Sequence, residues 1–131
     1  MNRRRFLQAL PGLAALLPVT LAARPKTVLA PHLTLLTSRL AGYHYYAGEK
    51  LWSNITRGDE LELFREPGNP HDRQAVALLW KGYKLGYIPR RDNTVIAQLL
   101  DRGMPLRCRI SVRRESPDPW NRIHFMVTAN M

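Results

Sequence analysis

The sequence predicts a mainly β fold, a small six-stranded barrel with one or two short capping helices. Three observations point that way. Apolar residues come in short runs, several of them alternating with polar residues, which is the period of a half-buried strand. Ten prolines and eight glycines punctuate those runs with turns. Only one stretch, after Asp92, carries apolar residues at helical spacing. The length of 131 residues allows one domain with a modest core, and 45% apolar with 23% charged residues is the balance of a folded chain.

The first segment, Met1 to Ala23, has the layout of a secretory signal: a basic start, an apolar stretch from Phe6 to Leu21 broken by Pro11, Gly12 and Pro18, then small residues at Ala22 and Ala23. Arg3-Arg4-Arg5-Phe6-Leu7-Gln8 resembles the twin-arginine export consensus, with Gln8 where that consensus often has Lys. Cleavage is expected near Ala22 or Ala23, giving an exported, periplasmic protein whose only tie to a membrane is this leader. The competing reading is an uncleaved tether; if the leader is misread, the protein is cytoplasmic. Residues 24–32 form a linker.

The folded body follows at residues 33–131. Leu33 to Ala41 reads as a first strand running into Gly42 and the aromatic cluster Tyr43-His44-Tyr45-Tyr46, and Glu49 to Asn54 as one helical turn or a loop. Glu60 to Arg65 alternates as a strand with Leu61 and Leu63 inward. Ala75 to Trp80 and Tyr83 to Ile88 form a hairpin about the Lys81-Gly82 turn. A helix starts with Asp92 or Asn93 as N-cap, lays Val95, Ile96, Leu99 and Leu100 along one stripe, and stops near Gly103 with Pro105 beyond. Leu106 to Arg114 and Arg122 to Val127, joined through Ser116-Pro117-Asp118-Pro119, complete the strands of an OB/SH3-like barrel. Cys108, the only cysteine, excludes an intramolecular disulfide and falls on the same strand face as Leu106 and Ile110, as a buried small hydrophobe would.

The charge is lopsided. Lys and Arg number 20 against 10 Asp and Glu; without the leader's three arginines, 17 against 10 still leaves the body at +7. Such a field attracts polyanions, nucleic acid or anionic lipid, without specifying which.

The segment Glu66 to Arg90 organises the rest. It opens on the turn cluster Pro67-Gly68-Asn69-Pro70. Pro70 biases Asn69 away from helix, and the side chains of Asn69 and Asp72 are of the kind that bonds nearby backbone, so a rigid loop between two strands is expected. A rigid polar loop at the mouth of a small barrel either builds a binding site or is only a good turn.

Three separated stretches, Gly42-Tyr43-His44-Tyr45-Tyr46, then Arg65-Glu66-Pro67-Gly68-Asn69-Pro70-His71-Asp72 with Ala75-Val76, then Gly86-Tyr87-Ile88-Pro89-Arg90, resemble in content and order the HIRAN domain. This is a small module found at the front of certain fork-remodelling helicase-like proteins and also alone in bacteria. The resemblance covers roughly Leu33 to Val127. It implies binding of single-stranded DNA by its 3′-hydroxyl end. In that family Tyr45 and Tyr46 would contact the last nucleotides, Asp72 would accept a hydrogen bond from the terminal hydroxyl, and Asn69 with Pro70 would shape the pocket. Tyr87 would offer stacking surface and Arg90 a phosphate contact, with Arg91 as a second. His44 stands where the family often has arginine, and His71 where it commonly has an aromatic ring.

No other chemistry is suggested. His32, His44, His71 and His124 are scattered without ligand spacing, so no metal site is expected. There is no phosphate-cradling Gly-rich loop, nucleophile elbow or pair of catalytic carboxylates, and the motor that accompanies this module in larger relatives is not found. The expected protein is a binding module without catalytic residues or cofactors. The competing class is an exported, non-catalytic interaction protein that holds a protein partner or an anionic envelope surface.

Overall fold

The structure, a computed structural model, describes residues 32–130. The expected leader and all but the last residue of the expected linker lie outside them.

Six antiparallel strands form one sheet: β1 His32–Arg39, β2 Glu60–Arg65, β3 Val76–Trp80, β4 Tyr83–Tyr87, β5 Leu106–Arg113 and β6 Ile123–Asn130. Their order is β1-β6-β5-β2-β3-β4. Two helices join them, α1 Gly48–Leu51 and α2 Thr94–Asp101. The strands agree with the expected ones to within a few residues, the largest difference being β6, which continues to Asn130.

The sheet is mainly β and OB-like, but it is not a continuously closed barrel. Its edge strands are β1 and β4, and the ladder between them is a single residue pair: Ala41 and Tyr87 exchange N–H···O bonds of 2.9 Å in both directions. That approach is close because β4 has a glycine there. A Cβ on Gly86 would sit 2.2 Å from the carbonyl oxygen of Ala41. At the other end of β4, Lys81 and Gly82 both adopt positive φ, 47° and 87°, as the tight turn of a twisted hairpin requires.

The core follows from alternation. Along β6, Ile123, Phe125, Val127 and Ala129 point inward and are buried, while the residues between them are half-exposed. Val76 and Leu78 of β3, Leu85 of β4, Ile110 of β5 and Ile96 of α2 meet them. Fully burying a side chain of this size contributes about 1.5–3 kcal/mol. Cys108 is 2% exposed, and burial pushes its thiol up to about 12, the behaviour of an inert packing residue.

Two local expectations are corrected. The buried stripe of α2 is Ile96 and Ala97, with Leu99 and Leu100 half-buried, whereas Val95 is 59% exposed. The helix begins at Thr94 with Asn93 at the N-cap position, as expected, and the inward stripe gains Ala97 and loses Val95. Tyr45 and Tyr46, whose rings would point to opposite faces if the pair lay on a strand, instead belong to and follow a 3-10 turn at Tyr43–Tyr45. The ring that packs inside is Tyr43, whose hydroxyl donates to the carbonyl of Gly48 at 2.6 Å.

Candidate functional site

Three pieces of chain meet at the edge of the sheet. The bridge at Ala41 holds the turn after β1 beside β4, and the N–H of Ala47 donates to the carbonyl of Lys84 at 3.1 Å. The loop between β2 and β3 comes next to them, and the end of β4 with its following turn completes the group.

The β2–β3 loop is stiff for reasons written in its residues. Asn69 accepts on Oδ1 from the N–H groups of His71 at 2.8 Å and Asp72 at 3.2 Å, and donates through Nδ2 to Glu66 Oε1 at 3.0 Å. Asp72 Oδ1 accepts from the N–H of Gln74 at 2.9 Å, and the Asp72 carbonyl accepts from the N–H of Ala75. On the outer side, the Arg65 guanidinium donates to the carbonyls of Arg73 and Ala75 and pairs with Asp101 at 2.8 Å. Asn69 therefore spends its side chain on shaping the loop.

An open cavity of about 340 Å³ results, and Tyr46, Asn69, His71, Asp72, Tyr87 and Arg90 line it over a floor of Ala41, Ala75 and Ile88. A second hollow of about 510 Å³ continues along the loop past Arg73 and shares Asn69, His71, Asp72 and Arg90 with the first. Six of the nine expected site residues are thus brought together. Tyr45, His44 and Arg91 do not line the cavity. Tyr45 is 76% exposed with its ring centroid 4.0 Å from that of His44. The Arg91 side chain is 77% exposed, with Nε 4.0 Å from Asp92. Another hollow of about 390 Å³, lined by Glu60, Glu62, Leu79, Lys81 and Arg107, shares no residue with these. It has two carboxylates and no aromatic ring, an unsuitable surface for a polyanion with bases to stack.

The cavity wall is aromatic and cationic. Tyr46 and Tyr87 meet edge to face, centroids 5.7 Å apart at 67°. Behind them, Lys84 Nζ lies 5.3 Å from the Tyr46 centroid and 4.9 Å from that of Tyr87. The ammonium donates to Glu66 Oε2 at 2.8 Å and to the Tyr87 hydroxyl at 2.9 Å, and that hydroxyl donates on to Glu66 Oε1 at 2.8 Å. Burial opposes the charge on Glu66, but hydrogen bonds from Lys84, Asn69 and Tyr87 outweigh it and hold the carboxyl below its ordinary 4.5. Burial likewise disfavours the charge of Lys84, yet its bonds to Glu66 and Tyr87 push the ammonium above its ordinary 10.5. Glu66 is therefore saturated and internally neutralised, and it leaves Tyr87 fixed in orientation.

Asp72 is held differently. Its partners are uncharged: the Gln74 N–H on Oδ1 and Nδ2 of Asn93 on Oδ2, at 2.7 Å. No cation pairs with it among the described residues. Asn93 stands at the N-cap position of α2, but its side chain makes no cap hydrogen bond. It is 1% exposed, turned toward Asp72, and its Oδ1 is buried without a partner. Asp92, the other expected cap, accepts instead from the Ser38 hydroxyl at 2.8 Å. Arg90 Nη2 donates to the carbonyl of His71, which places its guanidinium at the rim.

Glu66, Lys84 and Asn93 were missed as parts of the site. Strict alternation sends Lys84 and Tyr87, three residues apart, to opposite faces. A register shift between Leu78 and Leu79 against β4 brings them to the same face, and Gly86 inside the strand is the one residue that signals such a bulge.

Residues 34–131 match the model of the HIRAN domain. The chain is 39% identical over 61 residues to the Fanconi-associated nuclease 1 homolog of Oryza sativa subsp. japonica, a match spanning 42% of this chain but only 6% of that relative's length. Among solved structures, a protein from Lactobacillus plantarum superposes with a TM-score of 0.66 at 26% identity, covering 76% of this chain and 95% of that one. The HIRAN domain of human HLTF superposes with a TM-score of 0.55 at 17% identity, covering 76% and 80%, a likeness of fold alone. The chain belongs to the HIRAN domain family, whose domain binds nucleic acid and is not itself catalytic.

Proposed function

We propose that this protein captures the 3′-hydroxyl end of single-stranded DNA in the cavity between Tyr46, Asp72, Tyr87 and Arg90. One observation carries the reading. Asp72 faces a cavity walled by two tyrosines, and its carboxylate is oriented by neutral donors, with no cation paired to it among the described residues. Each oxygen keeps a lone pair, so the group can accept from a hydroxyl, in a bond to a charged acceptor worth about 1.5–3 kcal/mol.

A carboxylate is an odd neighbour for a polyanion unless it selects the one uncharged end. A phosphate brought within 4 Å of it meets repulsion of about 4 kcal/mol per unit charge near a protein surface, before screening by salt. The edge-to-face tyrosines offer stacking surface for the terminal bases, and Arg90 offers a phosphate partner. His71 sits on the same rim as a further flat ring.

Fluorescence titration with oligonucleotides ending in 3′-hydroxyl or 3′-phosphate tests the reading. The expected preference for the hydroxyl is at least about tenfold, well inside that repulsion. Equal affinity for the two ends rules the reading out. Negligible binding to any single strand at low salt favours the interaction-protein alternative.

A further inference from the structure

The 3-10 turn that carries His44 and Tyr45 lies beside a second one, Pro119–Asn121, with α-carbons of the two turns within 8 Å. The second turn is rigid. Asp118 accepts from the N–H of Trp120 on one oxygen and from Nδ2 of Asn121 on the other, both at 3.1 Å. Arg122 donates through Nε to the carbonyl of Ser116 at 2.8 Å. Arg39 reaches across from β1 and donates to Asn121 Oδ1 at 3.0 Å.

What this scaffold displays is an indole. Trp120 is 47% exposed, although two other tryptophans show what packing does with the residue in this fold. Trp80 is 6% exposed and bonded to Asp59, and Trp52 lies against the Arg113 guanidinium with its Nε1 bonded to Glu115. A half-exposed indole on a turn stiffened by four side-chain hydrogen bonds gains little from burial and is held ready for a flat partner. Its turn neighbours the one that carries the His44–Tyr45 pair, and Tyr46, the next residue, lines the cavity. Asp118 and Glu115 accept only from neutral donors and keep their charge, so they repel a phosphate close to them, while the Arg39 guanidinium on Asn121 attracts one.

We propose that Trp120, with the His44–Tyr45 pair, forms a second stacking platform that takes the bases of a single strand upstream of the nucleotide in the cavity, with the Arg39 guanidinium beside it for a phosphate. The platform rests on the 3′-end reading for its direction. It also gives Tyr45 and His44, which the cavity leaves outside, a surface to belong to. A single-strand site built from stacking rings and cations extends over about 4–16 nucleotides in folds of this type, more than the cavity alone accommodates.

Calorimetric titration of the native protein, Trp120→Ala and Trp120→Phe with 3′-hydroxyl oligothymidylates of about three and about ten nucleotides tests it. Trp120→Ala should leave the short oligonucleotide unaffected and weaken the long one by roughly 5- to 30-fold, with Trp120→Phe restoring most of the loss. Equal weakening of both lengths, or of neither, overturns the platform; thermal melting identifies a variant that merely misfolds, and Trp120→Phe then decides through its quenching of intrinsic fluorescence. Quenching by the long oligonucleotide should fall sharply in Trp120→Phe and overturns the proposal if it does not. A native protein that binds the long oligonucleotide equally with either 3′ end, while the Trp120→Ala effect persists, marks failure of the cavity reading and not of the platform.

Discussion

Replacing Asp72 by Asn removes one charge while keeping the shape, and the surroundings decide what else changes. In the native protein Oδ1 accepts from Gln74 N–H and Oδ2 accepts from Asn93 Nδ2. The new amide keeps an oxygen for Gln74 but turns an NH2 toward the NH2 of Asn93. Asn93 can meet that clash by flipping its own amide, which gives its orphaned Oδ1 a donor and leaves its NH2 in the orphan's place. The hydrogen-bond count is conserved, so stability should change by less than about 1 kcal/mol, against the 1–3 kcal/mol that an unrelieved buried polar group costs. Binding should change more. A bond from the terminal hydroxyl to a charged acceptor, worth about 1.5–3 kcal/mol, becomes one to a neutral acceptor worth about 0.5–1.5, so affinity for the 3′-hydroxyl end falls roughly 5- to 12-fold. Affinity for a 3′-phosphate end rises at the same time, because the like charge is gone. Denaturant melts and titrations of both ends with both proteins supply the four numbers. If Asp72→Asn left the ratio between the two ends where it was, the reasoning from that carboxylate to end selection would be refuted.

Other outcomes follow from the same geometry. Arg90→Ala should weaken binding of all single strands alike and reduce the slope of log affinity against log salt by about 0.7, the value for one phosphate contact, measured by titration from low to moderate salt. The Glu66 carboxyl is held below its ordinary 4.5, so its contribution to stability is present above that value and lost as pH falls through the lowered one. Urea melts across acid pH should therefore show a decline that is shallower in Glu66→Gln, with that variant already less stable at neutral pH. Lys84, raised above its ordinary 10.5, contributes fully below that value, so Lys84→Met should cost stability throughout the neutral range and differ least in strong alkali. From the leader reading, cell fractionation with N-terminal sequencing should find the mature chain outside the cytoplasm, beginning just after Ala22 or Ala23.

Much of the site was legible because its logic is local. Asn69 before Pro70, and Asp72 two residues before Gln74, act on backbone within three residues of themselves, and such bonds can be expected from residue type and spacing. The alternation along β2 and β6 and the Lys81-Gly82 turn are local in the same sense. The Tyr43–Tyr46 turn was not legible, since an aromatic run of that kind fits a strand end as well as a 3-10 turn, and the deciding contact is the burial of Tyr43 over Gly48.

The sequence by itself therefore determined the strands, the hairpin and the stiff loop, consequences of period, turn chemistry and neighbouring side chains, and it carried the three motifs by which the chain resembles its family. Tertiary structure decided which of the expected residues share the cavity and which further residues hold them there. The single bridge between Ala41 and Tyr87 brings Tyr46 to the β2–β3 loop, the register shift in β4 turns Lys84 toward Tyr87, and Asn93 leaves its capping role for a carboxylate 21 positions earlier. Each of these depends on how distant segments pack, and the energy of a packed pair does not appear in either partner's own stretch of chain.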